Sequence, residues 1–235
     1  THERRACVTR SPLFLWHMTQ SYLPTPDATV RWNLRQLYWD VFWFGILVGT
    51  TLTFLGVFAA RQGASSFQIG LLSAGPAVIS LIFTLPAGRW LEGKPLIRSA
   101  SLSAFGQRAG YLVLAAIPWL FFQPQMQVWA IIVLTLFMSV AGTFLAISFN
   151  ALYAEVVPVE WRGRAVGLRN ALVAVSVTFT TLLSGYILDQ VIFPLNYQIV
   201  FLLGAIGALL SSYHLSRIKR PPEPASQPDS LSARM

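Results

Sequence analysis

The chain is poor in charged residues and in cysteine. Only 11% of its 235 residues are Asp, Glu, Lys or Arg, whereas hydrophobic residues make up 54%. A water-soluble domain carries about a quarter charged residues, because its surface must stay solvated. The single cysteine, Cys7, permits no internal disulfide. This composition excludes most soluble domains and indicates a polytopic membrane protein.

Acidic residues are scarcer than basic ones, nine against 17, which gives a formal net charge of +8. A nucleic-acid-binding protein clusters its basic residues on one soluble face, with aromatic residues among them. Here the basic residues lie almost entirely in short gaps between long apolar runs. We therefore expect the partner of the chain to be the lipid bilayer and not a nucleic acid.

The long apolar runs predict membrane-spanning helices. Such a helix needs about 20 mostly apolar residues to cross about 30 Å of hydrocarbon. A transmembrane barrel would instead show alternating segments of about ten residues. The sequence thus predicts an all-α, polytopic integral membrane protein with six transmembrane helices. Their approximate limits are Leu37–Ala60, Leu71–Leu91, Ser99–Phe122, Val128–Ala154, Ala165–Val191 and Pro194–Arg217.

Two flanking segments differ from this bundle, which covers residues 37–217. Residues 1–36 are mixed and basic, and we expect a poorly ordered cytoplasmic arm. Residues 218–235 are rich in proline and serine without apolar periodicity, which predicts a disordered tail or the start of a linker. Because the sequence begins with Thr1, we take Met18 as a candidate start of the natural protein.

Basic residues are distributed unequally between the two ends of the six helices. In membrane proteins Lys and Arg concentrate in the cytoplasmic connections. One set of connections holds only Arg61. The other set holds eleven basic residues: Arg31, Arg35, Arg89, Lys94, Arg98, Arg162, Arg164, Arg169, Arg217, Lys219 and Arg220. This alternation predicts cytoplasmic termini, in a protein of the plasma or inner membrane.

Two charged residues within the helices are candidate functional sites, because ionisable groups are costly in a bilayer. Arg108 lies near the middle of the third helix. It either contacts an anion or substrate or, as we favour, forms an internal ion pair or backbone contact that fixes helix packing. Asp40 lies near the start of the first helix. It is either a proton or cation site or, more commonly for an acid at that position, a helix cap.

Polar side chains form stripes on the fourth and fifth helices. Asn150 and Tyr153 lie on the fourth helix, and Asn170 and Thr178 lie on the fifth. Such a stripe either lines a wet cavity for a polar substrate or, through its small residues, lets helices approach closely. We take these four residues and Asp40 as candidates for a substrate cavity. The few charges in the bundle favour a neutral or amphipathic solute.

Two predicted cytoplasmic connections resemble signature loops of the major facilitator superfamily. Residues 86–95 read PAGRWLEGKP, similar to a family loop with a glycine, an acid four residues later and then basic residues. Residues 157–167 read VPVEWRGRAVG, similar to the family pattern Pro…Arg-Gly-x-x-x-Gly. The resemblance implies that these two loops gate the cytoplasmic side, with Gly88 and Glu92 in the first loop and Arg162 and Arg164 in the second.

The same resemblance implies a fold and a function. Family members have about twelve helices, in two halves around a central path, and each half is a 3+3 inverted repeat. The six helices resemble one such half, in which the first and fourth helices face the path. We therefore expect a secondary transporter of an unidentified small solute. It would work by alternating access together with a missing C-terminal six-helix half or a second copy.

Two other classes of function remain open beside the transporter. No His-Glu-x-x-His or Gly-x-Ser-x-Gly pattern occurs, and the histidines lie outside the bundle or at its edge. We therefore expect no enzyme activity, no cofactor and no metal site. The alternative to a transporter is a non-transporting membrane scaffold or an inactive truncated product, because the chain has half the usual number of helices.

Overall fold

The computed structural model describes residues 26–220, and this part of the chain forms six helices and no strand. Connections of two to four residues join successive helices, which therefore run antiparallel. The all-α fold class predicted from the sequence is confirmed. The helices are α1 Ala28–Arg61, α2 Ser66–Leu91, α3 Leu96–Leu120, α4 Pro124–Val156, α5 Val159–Gln190 and α6 Leu195–Ser216.

Five of these six helices are long and apolar enough to cross a membrane. The exception is α3, which has 25 residues but carries the polar Gln107 and Arg108 near its middle. Ala100, Ala104 and Leu114 form the buried side of α3, which packs against α4 and α6. The sixth helix that the sequence predicts is therefore present, with its polar groups turned into the bundle.

Helix α1 begins at Ala28, earlier than the apolar run that starts at Leu37. The additional turns are held by contacts with the chain that leaves α6. The side-chain amide of Asn33 donates a hydrogen bond to the carbonyl of Lys219 at 2.8 Å and accepts one from its N–H at 2.9 Å. Leu34 is buried in the same region. Tertiary contacts, which hydropathy does not reveal, thus extend the helix.

Residues 28–36, for which the sequence predicts a poorly ordered arm, belong to α1 in the structure. Residues 1–25 of that arm, with the candidate start at Met18, lie outside the described residues. The same is true of residues 221–235 of the predicted tail.

The helices pack in a two-fold pattern. Helix α1 packs against α5 and α6, α4 packs against α2 and α3, and α3 packs against α6. Exchanging α1 with α4, α2 with α5 and α3 with α6 leaves this pattern unchanged. Because successive helices alternate in direction, the two triplets are inverted with respect to each other. This is the 3+3 inverted arrangement that the family resemblance implies.

Small residues allow α1 and α5 to approach closely. A methyl group added at Gly49 would lie 2.7 Å from the carbonyl oxygen of Val177, closer than side-chain carbons come to backbone. Helix α1 widens to π-helical geometry over Val48–Leu52, and Thr181 donates a hydrogen bond to the carbonyl of Gly49 at 3.2 Å. Gly49 therefore serves the close packing of α1 against α5.

Apolar clusters occupy both ends of the bundle, and polar side chains lie between them. On α1, Asp40 lies between Leu37 of one cluster and Leu47 of the other. Arg108 on α3 and the buried Ser211 and Ser212 on α6 occupy corresponding positions on their helices. The clusters continue on α3 with Ala104 and Tyr111, and on α6 with Leu215 and Ala208.

Candidate functional site

A buried ion pair joins α1 to α3. Nη1 of Arg108 lies 3.4 Å from Oδ1 of Asp40, and each side chain is 5% exposed. Helix α6 adds two hydroxyl groups. Ser211 donates a hydrogen bond to Oδ1 of Asp40 at 2.5 Å, and Nη1 of Arg108 donates one to Ser212 at 3.3 Å. These bonds partly compensate the cost of placing two charges inside the bundle.

Asp40 does not cap a helix. Since α1 begins at Ala28, Asp40 lies about three turns inside the helix, and the expectation of a cap is wrong. The early start of α1 is the physical reason. The contact with Arg108 is the internal ion pair that was one of the alternatives for that residue. Nε of Arg108 is buried and has no hydrogen-bond partner among the described residues.

A cavity of about 310 Å³ lies beside this ion pair. Helices α1, α3, α4 and α5 all contribute to its lining. Its size falls in the range of small-molecule sites, about 300–1,000 Å³, and like them it combines apolar walls with a few polar groups. The polar and charged lining residues are Asp40, Gln107, Arg108, Asn150 and Arg169, and the apolar ones include Phe44, Leu145 and Phe149.

Arg169 is the charged cavity residue that is absent from the candidates predicted from the sequence, where it belongs to the basic connections. Its guanidinium carbon lies 4.8 Å from the centre of the Phe149 ring. Its Nε is buried without a hydrogen-bond partner among the described residues. A signal was present in the sequence: Arg169 falls inside the predicted fifth helix, Ala165–Val191, as Arg108 falls inside the predicted third.

Three predicted cavity residues lie on α1 and α4. Asp40 and Asn150 line the cavity together. Tyr153 lies one turn beyond Asn150, is partly buried, and donates a hydrogen bond of 3.4 Å to the backbone carbonyl of Arg162. Tyr153 is not among the residues that line the cavity.

The two candidates on α5 are placed differently. Asn170 and Thr178 are exposed on the surface of the described bundle and do not line the cavity. They would contact a solute only if another protein surface faced this side of α5. Their assignment to a substrate cavity stays a prediction.

The four residues of the two implied gating loops lie in two places in the structure. Gly88 and Glu92 lie at the end of α2, where Glu92 is exposed. Arg162 donates hydrogen bonds of 3.1 and 2.7 Å to two carbonyls at the end of α4, where a cation also meets the negative end of the helix dipole. Arg164 is exposed beside Trp161. Within residues 26–220, no hydrogen bond or ion pair joins Glu92 to either arginine.

A smaller cavity of about 150 Å³ adjoins the first through a shared residue. Gln107 lines both cavities, and Thr135 and Ser139 of α4 line the smaller one. The hydroxyl of Thr135 is buried and lacks a hydrogen-bond partner in the described part of the chain. Polar groups therefore continue along α3 and α4 beyond the ion pair.

A membrane bundle of two inverted helix triplets with a polar cavity is characteristic of one half of a solute carrier. A family model described as Major Facilitator Superfamily matches residues 40–233. The chain therefore belongs to the major facilitator superfamily, whose members are secondary transporters and not enzymes. No curated protein and no solved structure matches the chain.

Proposed function

We propose that the chain is one half of a secondary transporter that moves a small solute across the membrane by alternating access. The observation that carries this proposal is the cavity of about 310 Å³ beside the ion pair of Asp40 and Arg108. Charged groups inside a bilayer are costly and mark substrate or ion pathways. A solute site in the cavity gives these charges a function.

A second half is part of the proposal because the cavity is open on the side of α4. Ala146 and Asn150 line the cavity, yet both are exposed in the described bundle. A C-terminal six-helix half, or a second copy of this chain, would cover this side and complete a central path. Helices α2 and α5 are the least buried of the five candidate spans, which suits them to the interface between the halves.

The distribution of Lys and Arg supports an orientation with both termini in the cytoplasm. We also propose that the protein resides in the plasma membrane, or the inner membrane of a bacterium. In this orientation the end of α2 with Lys94 faces the cytoplasm, and the connection after Arg61 faces the opposite side.

The charges of the cavity favour a solute with one anionic group and an apolar body. Arg108 and Arg169 contribute two positive charges, and Asp40 contributes one negative charge. Phe44 and Phe149 provide apolar contacts in the same cavity. The sequence favoured a neutral or amphipathic solute because Arg169 was assigned to a connection. Its position in the cavity adds the requirement for an anion.

The solute can be found by its effect on thermal stability, because a ligand that binds only the folded protein stabilises it. Amphipathic carboxylates and phosphates should be screened for an increase in the Tm of the purified chain in detergent. Asn150→Ala should reduce the increase. Gln190→Ala, which changes an exposed amide outside the cavity, should leave it intact. A ligand whose stabilisation is equal in all three proteins does not bind the proposed site.

Transport is then measured with that solute in proteoliposomes. We expect saturable uptake when the chain is combined with its other half or forms a dimer, and no uptake by a proven monomer. Saturable uptake by the monomer would contradict the half-transporter proposal. Binding without uptake in every assembly would favour the alternative of a non-transporting scaffold.

A further inference from the structure

A second large cavity lies apart from the proposed solute site, between the ends of α1 and α5 that carry the basic residues. Its volume is about 610 Å³. It shares no lining residue with the cavity beside Asp40. We call this space the α1–α5 groove; it is lined by residues between Pro26 and Phe42 on one side, and between Trp161 and Leu172 on the other.

Three guanidinium groups line the α1–α5 groove, and all three residues are exposed. Arg31 and Arg35 lie one turn apart on α1, and Arg164 faces them from α5. No carboxylate lines the groove, although Asp27 and Glu160 lie next to it in the sequence. Arg31 and Arg35 have no ion-pair partner within residues 26–220. The groove therefore presents three positive charges without a counter-charge from the described chain.

Below these charges the groove is apolar. Phe42, Leu168 and Leu172 line its walls there, and they follow the arginines in α1 and α5. Leu34 lines the groove beside Arg35. Trp39 is 42% exposed and lines the groove between the charged and the apolar parts. Tryptophan is enriched at the level of the lipid headgroups, where its ring meets both water and hydrocarbon.

We propose that the α1–α5 groove binds an anionic phospholipid from the leaflet at the basic end of the bundle. The phosphate would lie among Arg31, Arg35 and Arg164, where guanidinium groups donate paired, charge-assisted hydrogen bonds to phosphate oxygens. An acyl chain would lie along Leu168 and Leu172. Basic pockets between transmembrane helices on the cytoplasmic side are suited to anionic headgroups. A zwitterionic lipid would fill the same apolar wall but gain less from three cations.

The first test compares lipid binding to the purified 235-residue chain by native mass spectrometry. With equal amounts of phosphatidylglycerol and phosphatidylcholine, we expect the protein to retain phosphatidylglycerol preferentially. Each basic residue near a membrane surface strengthens anionic lipid binding roughly fivefold. The triple variant R31Q/R35Q/R164Q should therefore weaken phosphatidylglycerol binding by a factor on the order of 100.

A matched control removes the same number of charges from the same end of the bundle. Arg89, Lys94 and Arg98 are exposed and lie outside the groove. The variant R89Q/K94Q/R98Q should bind phosphatidylglycerol as the unchanged protein does. Circular dichroism of both triple variants should show the helix content of the unchanged protein, which separates loss of the site from loss of the fold.

A second measurement tests whether the acyl chain of the bound lipid contacts the tryptophans of the groove. Phosphatidylglycerol with brominated acyl chains quenches tryptophan fluorescence on contact. In vesicles containing a small fraction of this lipid, we expect the tryptophan fluorescence of the unchanged protein to be quenched. The quenching should be weaker when Trp39 and Trp161 are replaced by Phe. It should be reduced by the same amount in R31Q/R35Q/R164Q. Brominated phosphatidylcholine at the same fraction should quench less than brominated phosphatidylglycerol.

Four results would overturn the proposal. The unchanged protein could bind both lipids equally, or the triple variant of the groove could keep its preference for phosphatidylglycerol. The control variant could lose as much binding as the groove variant, which would indicate a general effect of surface charge. Finally, inorganic phosphate in excess could displace the lipid completely, which would show a site for a soluble anion.

Discussion

Asp40 and Arg108 are 68 residues apart in sequence, yet their charged groups lie 3.4 Å apart in the middle of the bundle. Each is also bound by a serine hydroxyl of α6, from Ser211 and Ser212. One charge pair thus links α1, α3 and α6, and its two charged residues line the proposed solute cavity. Removing one partner leaves the other charge buried alone, which costs about 3–5 kcal/mol.

This relationship predicts non-additive effects on stability. Asp40→Asn and Arg108→Gln should each lower the Tm of the purified protein substantially. The double variant should lose less than the sum of the two losses, because neither charge remains unpaired. Thermal unfolding of the four proteins in the same detergent measures the coupling. Additive losses would show that the ion pair does not hold the helices together.

The close contact of α1 with α5 predicts different effects for two glycines of α1. Gly49→Ala places a methyl group against the carbonyl of Val177, and overpacking of this kind costs about 1–3 kcal/mol. Gly56→Ala is the control, because nothing lies within 4 Å of the added carbon. The Tm should fall for Gly49→Ala and stay equal or rise for Gly56→Ala. Equal changes in both variants would contradict the packing described for Gly49.

The paired hydrogen bonds between Asn33 and the backbone of Lys219 predict protection from trypsin. Asn33→Ala removes both bonds and should free the segment after α6, so that cleavage after Lys219 becomes faster. Asn170→Ala, an exposed site without such bonds, should leave the rate unchanged. Mass spectrometry of the fragments over time measures the cleavage. An unchanged rate in Asn33→Ala would show that these bonds do not order the segment.

Arg169 predicts the charge selectivity of the solute cavity. A hydrogen bond to a charged group contributes about 1.5–3 kcal/mol, so Arg169→Gln should weaken binding of an anionic solute by roughly 10- to 100-fold. Binding of a neutral analogue of the same solute should change little. Isothermal titration of both ligands, with Gln190→Ala as the control, makes the comparison. Equal losses for the two ligands would indicate a change in the shape of the cavity and not in its charge.

Hydropathy and charge were sufficient to predict the six helices and the fold class. The long apolar runs identified them, and Arg108 could be recognised as a buried charge because it interrupts one such run. The predicted start of α1 was less accurate than the other helix limits. Asn33 and Leu34 extend the helix through contacts with the segment after α6, which is about 185 residues away in sequence. No local pattern in the sequence contains that information.

The candidate site was predicted only in part, for a similar reason. Asp40 and Asn150 line the cavity, but Asn170 and Thr178 lie on the exposed face of α5. A polar stripe shows which residues share a helix face, and it does not show which neighbour that face meets. Arg169 reaches the cavity from α5, which packs closely against α1 at Gly49.

Alternating access can be tested directly by thiol labelling at Ala146, which lines the cavity and is exposed on α4. Cys7 is first replaced by Ser. Ser66→Cys and Lys94→Cys then mark the two sides of the membrane, and each should react with an impermeant maleimide from its own side only. Ala146→Cys in the assembled transporter should react from either side, in right-side-out and in inside-out vesicles. Labelling of Ala146→Cys from one side only, or labelling of both markers from the same side, would contradict the account.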